Sequence, residues 1–159
     1  MSLGSKSFAV LGKPVPLVDA YEKVTGQLKY AGDLSIPGML HAKVLRSPYA
    51  HAKILEIDTS KAESLPGVFA TITHKNIPNK EWLCGHINFF QKVMDSVVRY
   101  VGDEVAAVAA EDEATAEKAM GLIEVEYEQL PAVFDIEEAR KPGAPEVRGG
   151  GNAYRRSLT

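Results

Sequence analysis

The side chains here that could do chemistry are few and scattered. The single cysteine, Cys84, stands two residues before His86, and His41, His51 and His74 are the remaining histidines. A zinc site ordinarily takes four ligands, commonly with a second cysteine a few residues from the first, and the chain has no second cysteine. As a nucleophile with His51 or His86 as its base, Cys84 would need an electropositive setting that lowers its pKa; a buried structural thiol is the simpler reading. Asp103-Glu104 and the set Glu124, Glu126 and Glu128 are candidate acid–base carboxylates. The last three alternate along a strand opposite Ile123, Val125 and Tyr127, which is the pattern of a solvated face. Gly149-Gly150-Gly151 neither follows a strand nor opens a helix, so it lacks the setting in which a glycine loop grips phosphate. It reads as a tether. Trp82, Phe89 and Phe90 read equally as a small core under a loop or as a contact surface. No active site assembles from these residues, and none is assigned a catalytic, cofactor-binding or metal-binding role.

The elements that would carry these groups are legible in outline. Residues 12–39 are dense in Gly and Pro, lack a sustained period and read as an extended arm with turns. From Leu40 the sequence LHAKVLRS alternates, with Leu40, Ala42 and Val44 on one side, and KILEID repeats the alternation after Pro48, which predicts two strands forming an antiparallel pair. Asp58 or Thr59 caps a short helix that Pro66-Gly67 ends, and VFATIT is a further strand. Residues 74–96 break the rhythm and read as a long irregular excursion, a kind of loop that is usually functional or held in an interface. A strand, a turn at Gly102-Asp103 and a strand apolar on both faces follow, the last expected at the centre of a sheet. DEATAEKAMGLI predicts a helix capped by Asp112, with Ala116, Ala119, Met120 and Ile123 in one stripe; IEVEYEQL predicts a strand, and DIEEAR a last helical turn. The fold class is α+β.

Bulk properties narrow the function. With 159 residues the chain is most simply one domain, large enough to bury about 68–70% of its unfolded surface. A net charge of −3 and the absence of a long Lys/Arg run argue against nucleic-acid binding. One cysteine excludes an internal disulfide framework and fits a reducing compartment, and no apolar run approaches the ~20 residues of a membrane helix. A cytoplasmic location is expected. The opening MSLGSKSF lacks a signal-peptide pattern, and residues 1–11 read as a leader with the Ser/Gly character of cloning sequence.

The order of short motifs carries more than any of them alone. Lys23-Val24-Thr25-Gly26, Tyr30-Ala31-Gly32-Asp33, Pro37-Gly38-Met39-Leu40, Arg46-Ser47-Pro48, Ala50-His51-Ala52, Pro66-Gly67-Val68, Val101-Gly102-Asp103-Glu104-Val105-Ala106 and Val125-Glu126-Tyr127-Glu128-Gln129-Leu130-Pro131 follow one another in the chain. In that order they resemble the opening of the molybdenum-bearing subunit of the xanthine dehydrogenase and aldehyde oxidase family. The resemblance implies an α/β hammerhead domain over 12–144, followed by a linker over 145–159 toward molybdenum-cofactor domains. It implies a molybdenum hydroxylase that inserts water-derived oxygen into a heteroaromatic or aldehyde C–H bond. Electrons would pass from a molybdenum–pterin cofactor through [2Fe-2S] clusters to FAD or another acceptor, on other domains or subunits.

None of the family's cofactor motifs falls within these residues, so the resemblance implies a fragment that binds no cofactor and is inactive alone. Its expected partners are the cofactor domains of the same chain, the iron–sulfur and flavin domains or subunits, and the small-molecule substrate of the whole enzyme. The iron–sulfur and flavin centres are expected either on separate subunits or on segments removed from this chain. In the family the region corresponding to 74–96 approaches the substrate channel. On that resemblance Trp82, Leu83, Phe89 and Phe90 become the candidate channel or interface contacts, although the sequence departs here from the better-known purine enzymes. The competing reading is a free-standing protein-interaction module with the same fold.

Overall fold

The computed structural model describes residues 10–78, 80–84, 89–148 and 151–152, and for 82–84 and 89–91 it describes the backbone alone. The chain divides into two units, Met1–Pro37 and Gly38–Thr159.

In the first unit the expected arm contains two short regular pieces that the sequence pattern did not suggest. Helix α1 (Ala20–Val24) is followed by a 3-10 turn, Ala31–Asp33. Five residues are too few for a helical period to emerge. Local bonds hold both pieces. Thr25 Oγ1 donates to the Tyr21 carbonyl at 2.7 Å, and the Asp33 carboxylate accepts the Tyr30 N–H at 3.0 Å. No described residue of this unit is buried, so packing within it contributes little to its stability.

In chain order the second unit contains β1 (His41–Arg46), β2 (Ala52–Asp58), α2 (Ser60–Glu63), β3 (Val68–Thr73), β4 (Glu81–Cys84), β5 (Phe89–Lys92), β6 (Val97–Val98), β7 (Glu104–Ala110), α3 (Glu113–Met120), β8 (Glu124–Gln129) and α4 (Ile136–Ala139). One antiparallel sheet has the order β1-β7-β3, a second has β6-β2-β8, and β4 pairs with β5 as a hairpin. Two expectations need correcting. The strands around Pro48 do not pair with each other: β1 belongs to the first sheet and β2 to the second. The excursion over 74–96 is also more regular than its sequence, because EWLC and FFQK pair although each is too short to display alternation.

The core lies between the two sheets and the short helices. Ala52, Ile54 and Ile57 of β2 meet Val105, Ala106 and Val108 of β7, together with Ala62, Val98, Ala119 and Ile123. Strand β7 takes the central position expected of a run apolar on both faces. On β1 it is Leu45 that packs against this core, opposite Ala106, whereas Ala42 and Val44 align with Ala109 and Ala107 on the other face. Helix α3 begins as the sequence predicts, with the Asp112 carboxylate accepting the Thr115 N–H at 2.7 Å and with Ala116 and Ala119 buried.

The turn into β3 depends on Gly67, whose φ is +89° and whose carbonyl accepts the Glu111 N–H at 2.9 Å. A Cβ at this position would lie 2.5 Å from Glu111 Oε1. That flexible side chain can swing aside, but the left-handed backbone conformation still costs about 1–2 kcal/mol for an alanine. Gly67→Ala should therefore lower the melting temperature by roughly 3–8 °C in a calorimetric scan; an unchanged midpoint would contradict the strained turn.

Candidate functional site

The hairpin β4–β5 carries all four residues singled out as channel or interface contacts. Its register pairs Glu81 with Lys92, Trp82 with Gln91, Leu83 with Phe90 and Cys84 with Phe89. The backbone thus brings Trp82, Leu83, Phe89 and Phe90 onto one short two-stranded element. Their side chains, and Gly85 and His86 of the proposed Cys84–His86 cluster, lie outside the described residues.

What anchors this hairpin is a charged cluster just beyond it. Asp95 Oδ2 accepts from Arg99 Nη2 at 2.8 Å, Oδ1 accepts the Ser96 N–H at 2.8 Å, and Lys92 Nζ stands 3.5 Å from Oδ1. Arg99 Nη1 also donates to the Val97 carbonyl at 2.9 Å, and the Ser96 carbonyl accepts the Ile54 N–H at 2.8 Å, which ties the segment to β2. Met94 is buried alongside. Burial raises the Asp95 pKa. The Arg99 hydrogen bond, the Ser96 amide and the charges of Arg99 and Lys92 outweigh it, so the carboxyl is held below its ordinary value. Sequence patterning did not single out this pair, although the i,i+4 spacing of Asp95 and Arg99 is visible in DSVVR.

A second knot joins the sheets. Asp103 is 8% exposed, and its carboxylate accepts the Arg99 N–H at 2.8 Å and the Glu104 N–H at 3.2 Å. Its carbonyl accepts the Ser47 N–H at 2.8 Å, and the Ser47 carbonyl accepts the Gly102 N–H at the same distance. Arg46 Nη1 adds bonds to the Gly102 carbonyl at 2.7 Å and to Glu104 Oε1 at 2.8 Å. Asp103 and Glu104 thus commit their carboxylates to a corner. These bonds hold the residue that follows β1, Ser47, against the turn that precedes β7.

The remaining candidates are dispersed. His41 opens β1. His51 is buried just before β2, and its Nδ1 lies 2.6 Å from the Pro131 carbonyl, so that nitrogen carries the proton and pins the chain after β8. His74 follows β3; its Nδ1 is buried with no hydrogen-bond partner among the described residues, and burial, then the charge of Lys75, lowers its pKa. Glu124, Glu126 and Glu128 are exposed along β8, as a solvated face should be, and Lys61 pairs with Glu124. Among the described residues no three His, Cys, Asp or Glu side chains converge to hold a metal ion.

Two antiparallel three-stranded sheets with few helices, a buried corner at Ser47–Asp103 and a separate two-stranded hairpin define a small α+β domain of the hammerhead type. Residues 25–131 match the family model described as aldehyde oxidase and xanthine dehydrogenase, a/b hammerhead domain, and the chain belongs to that family. It is 47% identical over 140 residues to a probable xanthine dehydrogenase subunit of Bacillus subtilis, covering 88% of this chain and 19% of the relative. To the nicotinate dehydrogenase large molybdopterin subunit of Eubacterium barkeri it is 38% identical, covering 94% of this chain and 35% of the relative. Among solved structures, the aldehyde oxidoreductase from Desulfovibrio desulfuricans superimposes with a TM-score of 0.77 at 32% identity, over 86% of this chain and 16% of that one. The Cu,Mo-CO dehydrogenase also gives a TM-score of 0.77, at 38% identity, over 84% of this chain and 17% of the other.

Proposed function

We propose that this domain is one part of the large subunit of a molybdenum hydroxylase. The whole enzyme would oxidise a heteroaromatic or aldehyde carbon with oxygen drawn from water. The single observation that carries this reading is the family membership, together with the fact that the chain spans only 19% and 35% of the two relatives named above. A hammerhead over 12–144 would then lead through a linker at 145–159 to the cofactor domains. The molybdenum–pterin group is assigned to the rest of the enzyme, since most of each relative's length lies beyond the part this chain matches. The [2Fe-2S] clusters and FAD are assigned to other domains or subunits, and the assembly to the cytoplasm. Among the described residues no helix is long and apolar enough to cross a membrane.

Within that enzyme the domain is a scaffold, inactive alone, that holds the hairpin β4–β5 beside the substrate channel. Catalysis depends on keeping reacting groups within a fraction of an ångström of their working geometry, and a two-stranded ribbon seated on a bonded cluster suits that task better than a free loop. Trp82, Leu83, Phe89 and Phe90 would supply apolar contacts to the channel or to the domain bordering it.

The test is steady-state kinetics of the molybdenum-loaded full-length enzyme. Trp82→Ala should change KM or kcat by roughly tenfold, the scale of one lost apolar contact in a substrate pocket. Unchanged values for both would remove the hairpin from the channel. If the native reading frame ended shortly after Thr159, the free-standing interaction module would become the better reading.

A further inference from the structure

Both sheets have an outer face, and the two differ sharply in chemistry. The second sheet turns Glu124, Glu126 and Glu128 outward on β8, with Lys53 opposite Glu128 and Asp58 opposite Glu124. It is a face made for water. On the first sheet the helices lie toward the side bearing Leu45, Ala106 and Val108, and the two middle rows of the opposite side are wholly apolar, with the ion pair Arg46–Glu104 forming a charged rim in the row beyond Val44. One row reads Val44–Ala107–Ile72 and the next Ala42–Ala109–Ala70. Leu40 extends the series beyond β1, and Phe69 stands at the bulge of β3, next to Ala70. Ala42 and Ala70 are exposed, Ile72 is 39% exposed, Leu40 45% and Phe69 67%.

A sheet needs a layer on each apolar face, and a contiguous exposed apolar patch rimmed by polar residues, as this one is by Arg46 and Glu104, marks a contact surface. The three-alanine row gives this face a flat floor on which another backbone can come close. The charges at its rim, Arg46 and Glu104, neutralise each other, so the face offers no field to a polyelectrolyte partner. The chain matches 16% and 17% of two solved relatives, so more than four-fifths of each such polypeptide lies outside the matched part and is available to cover a face of this kind.

We propose that the outer face of the β1-β7-β3 sheet is the seat of an apolar layer supplied by the remainder of the large subunit's own polypeptide. The proposal rests on the reading of the chain as one part of that subunit. It makes this face, rather than the charged face of the second sheet, the fixed attachment of the domain.

Thiol accessibility tests it. In a Cys84→Ser background, Ala109→Cys is introduced both into the 159-residue chain and into the protein encoded by the full native reading frame; Glu126→Cys on the charged sheet serves as control, and N-ethylmaleimide is the probe. A small thiol replacing a small side chain on an open face leaves the core intact. The position-109 thiol should react at least ~100-fold more slowly in the long protein, because a covered site reacts only through opening fluctuations. The control should differ by no more than about threefold, since a solvated face gains no such protection.

Equal rates at position 109 in both proteins would overturn the proposal, as would equal slowing at both positions. Slowing that appears in the short chain with rising concentration, with the long protein still reactive, would assign the face to a second copy and also overturn it. Hydroxylase activity of the molybdenum-loaded long protein is measured in parallel. Activity with an open thiol sinks this inference alone, and a protected thiol without activity sinks only the assigned chemistry. A reading frame ending near Thr159 sinks both.

Discussion

Replacing Asp103 with alanine should destabilise the domain by roughly 1–3 kcal/mol, because two partly buried N–H groups lose their acceptor and an orphaned donor costs about 1–3 kcal/mol when fully buried and less when water can reach it. The groups are the amides of Arg99 and Glu104, bonded to the Asp103 carboxylate at 2.8 and 3.2 Å. The effect reaches beyond those two bonds, since the same residue receives the Ser47 N–H on its backbone and Arg46 braces the neighbouring Gly102 and Glu104. With the turn loosened, the point at which the chain passes between the sheets is no longer fixed. Asp103→Asn keeps one carbonyl acceptor of nearly the same shape and should recover part of the loss. Urea unfolding of the three proteins decides the matter. The expected order of midpoints is wild type, asparagine, alanine, with similar slopes; an alanine variant as stable as wild type would mean that water replaces the carboxylate at no cost.

Asp95→Ala should loosen the hairpin more than the sheets. Its side chain is 19% exposed and the Arg99 side chain 25% exposed, so the variant strands a half-buried guanidinium, a loss of about 1–3 kcal/mol once solvent screening is allowed for. Hydrogen exchange should show faster amide exchange in β4 and β5, with little change in β7. Uniform acceleration across the domain would instead mean that the cluster supports global stability. The same carboxyl sets an acid response. Its folded pKa lies below the ordinary value, so near pH 4 the folded state binds fewer protons than the unfolded chain. The stability it contributes is fully present above the unfolded pKa of about 3.9 and is lost as pH falls through the lower folded value. Asp95→Asn should therefore flatten the acid limb of the stability curve below about pH 4 and leave its slope at neutral pH unchanged.

How much of this was legible in the sequence depended on how local each signal was. Helix α3 could be read because its cap, Asp112, and its stripe, Ala116 and Ala119, lie within two turns of chain. The central place of β7 could be read because a run apolar on both faces has nowhere else to go. The partition of strands could not: the partners of β1 and β2 lie from about 45 to nearly 80 residues away in sequence, and alternation states that a strand has a buried face without stating against what. On β1 the apolar set Leu40, Ala42 and Val44 was real, yet the residue reaching the core is Leu45. The motifs behind the family resemblance fall largely at corners, among them Gly67 and Gly102, both with positive φ. Corners restrict residue choice more tightly than strands, which is why short motifs identified the fold when the strand pattern could not assemble it. The candidate site was the least legible part. A hairpin of four-residue strands leaves no period, and the Asp95–Arg99 pair acquires its role only once it is placed against the base of that hairpin.

The long reach of these pairings has a consequence during synthesis. As the chain leaves the ribosome, the first sheet cannot close until β7 has emerged, ending at Ala110, and the second waits for β8, ending at Gln129. Among the described strands, β4 and β5 alone pair between neighbouring segments, and they can do so before the β7 framework exists. Pairing over such separations is intrinsically slow. Strands β1 and β3 therefore wait as unpaired apolar edges for the whole of that interval, the period in which a nascent chain most needs a chaperone to shield it.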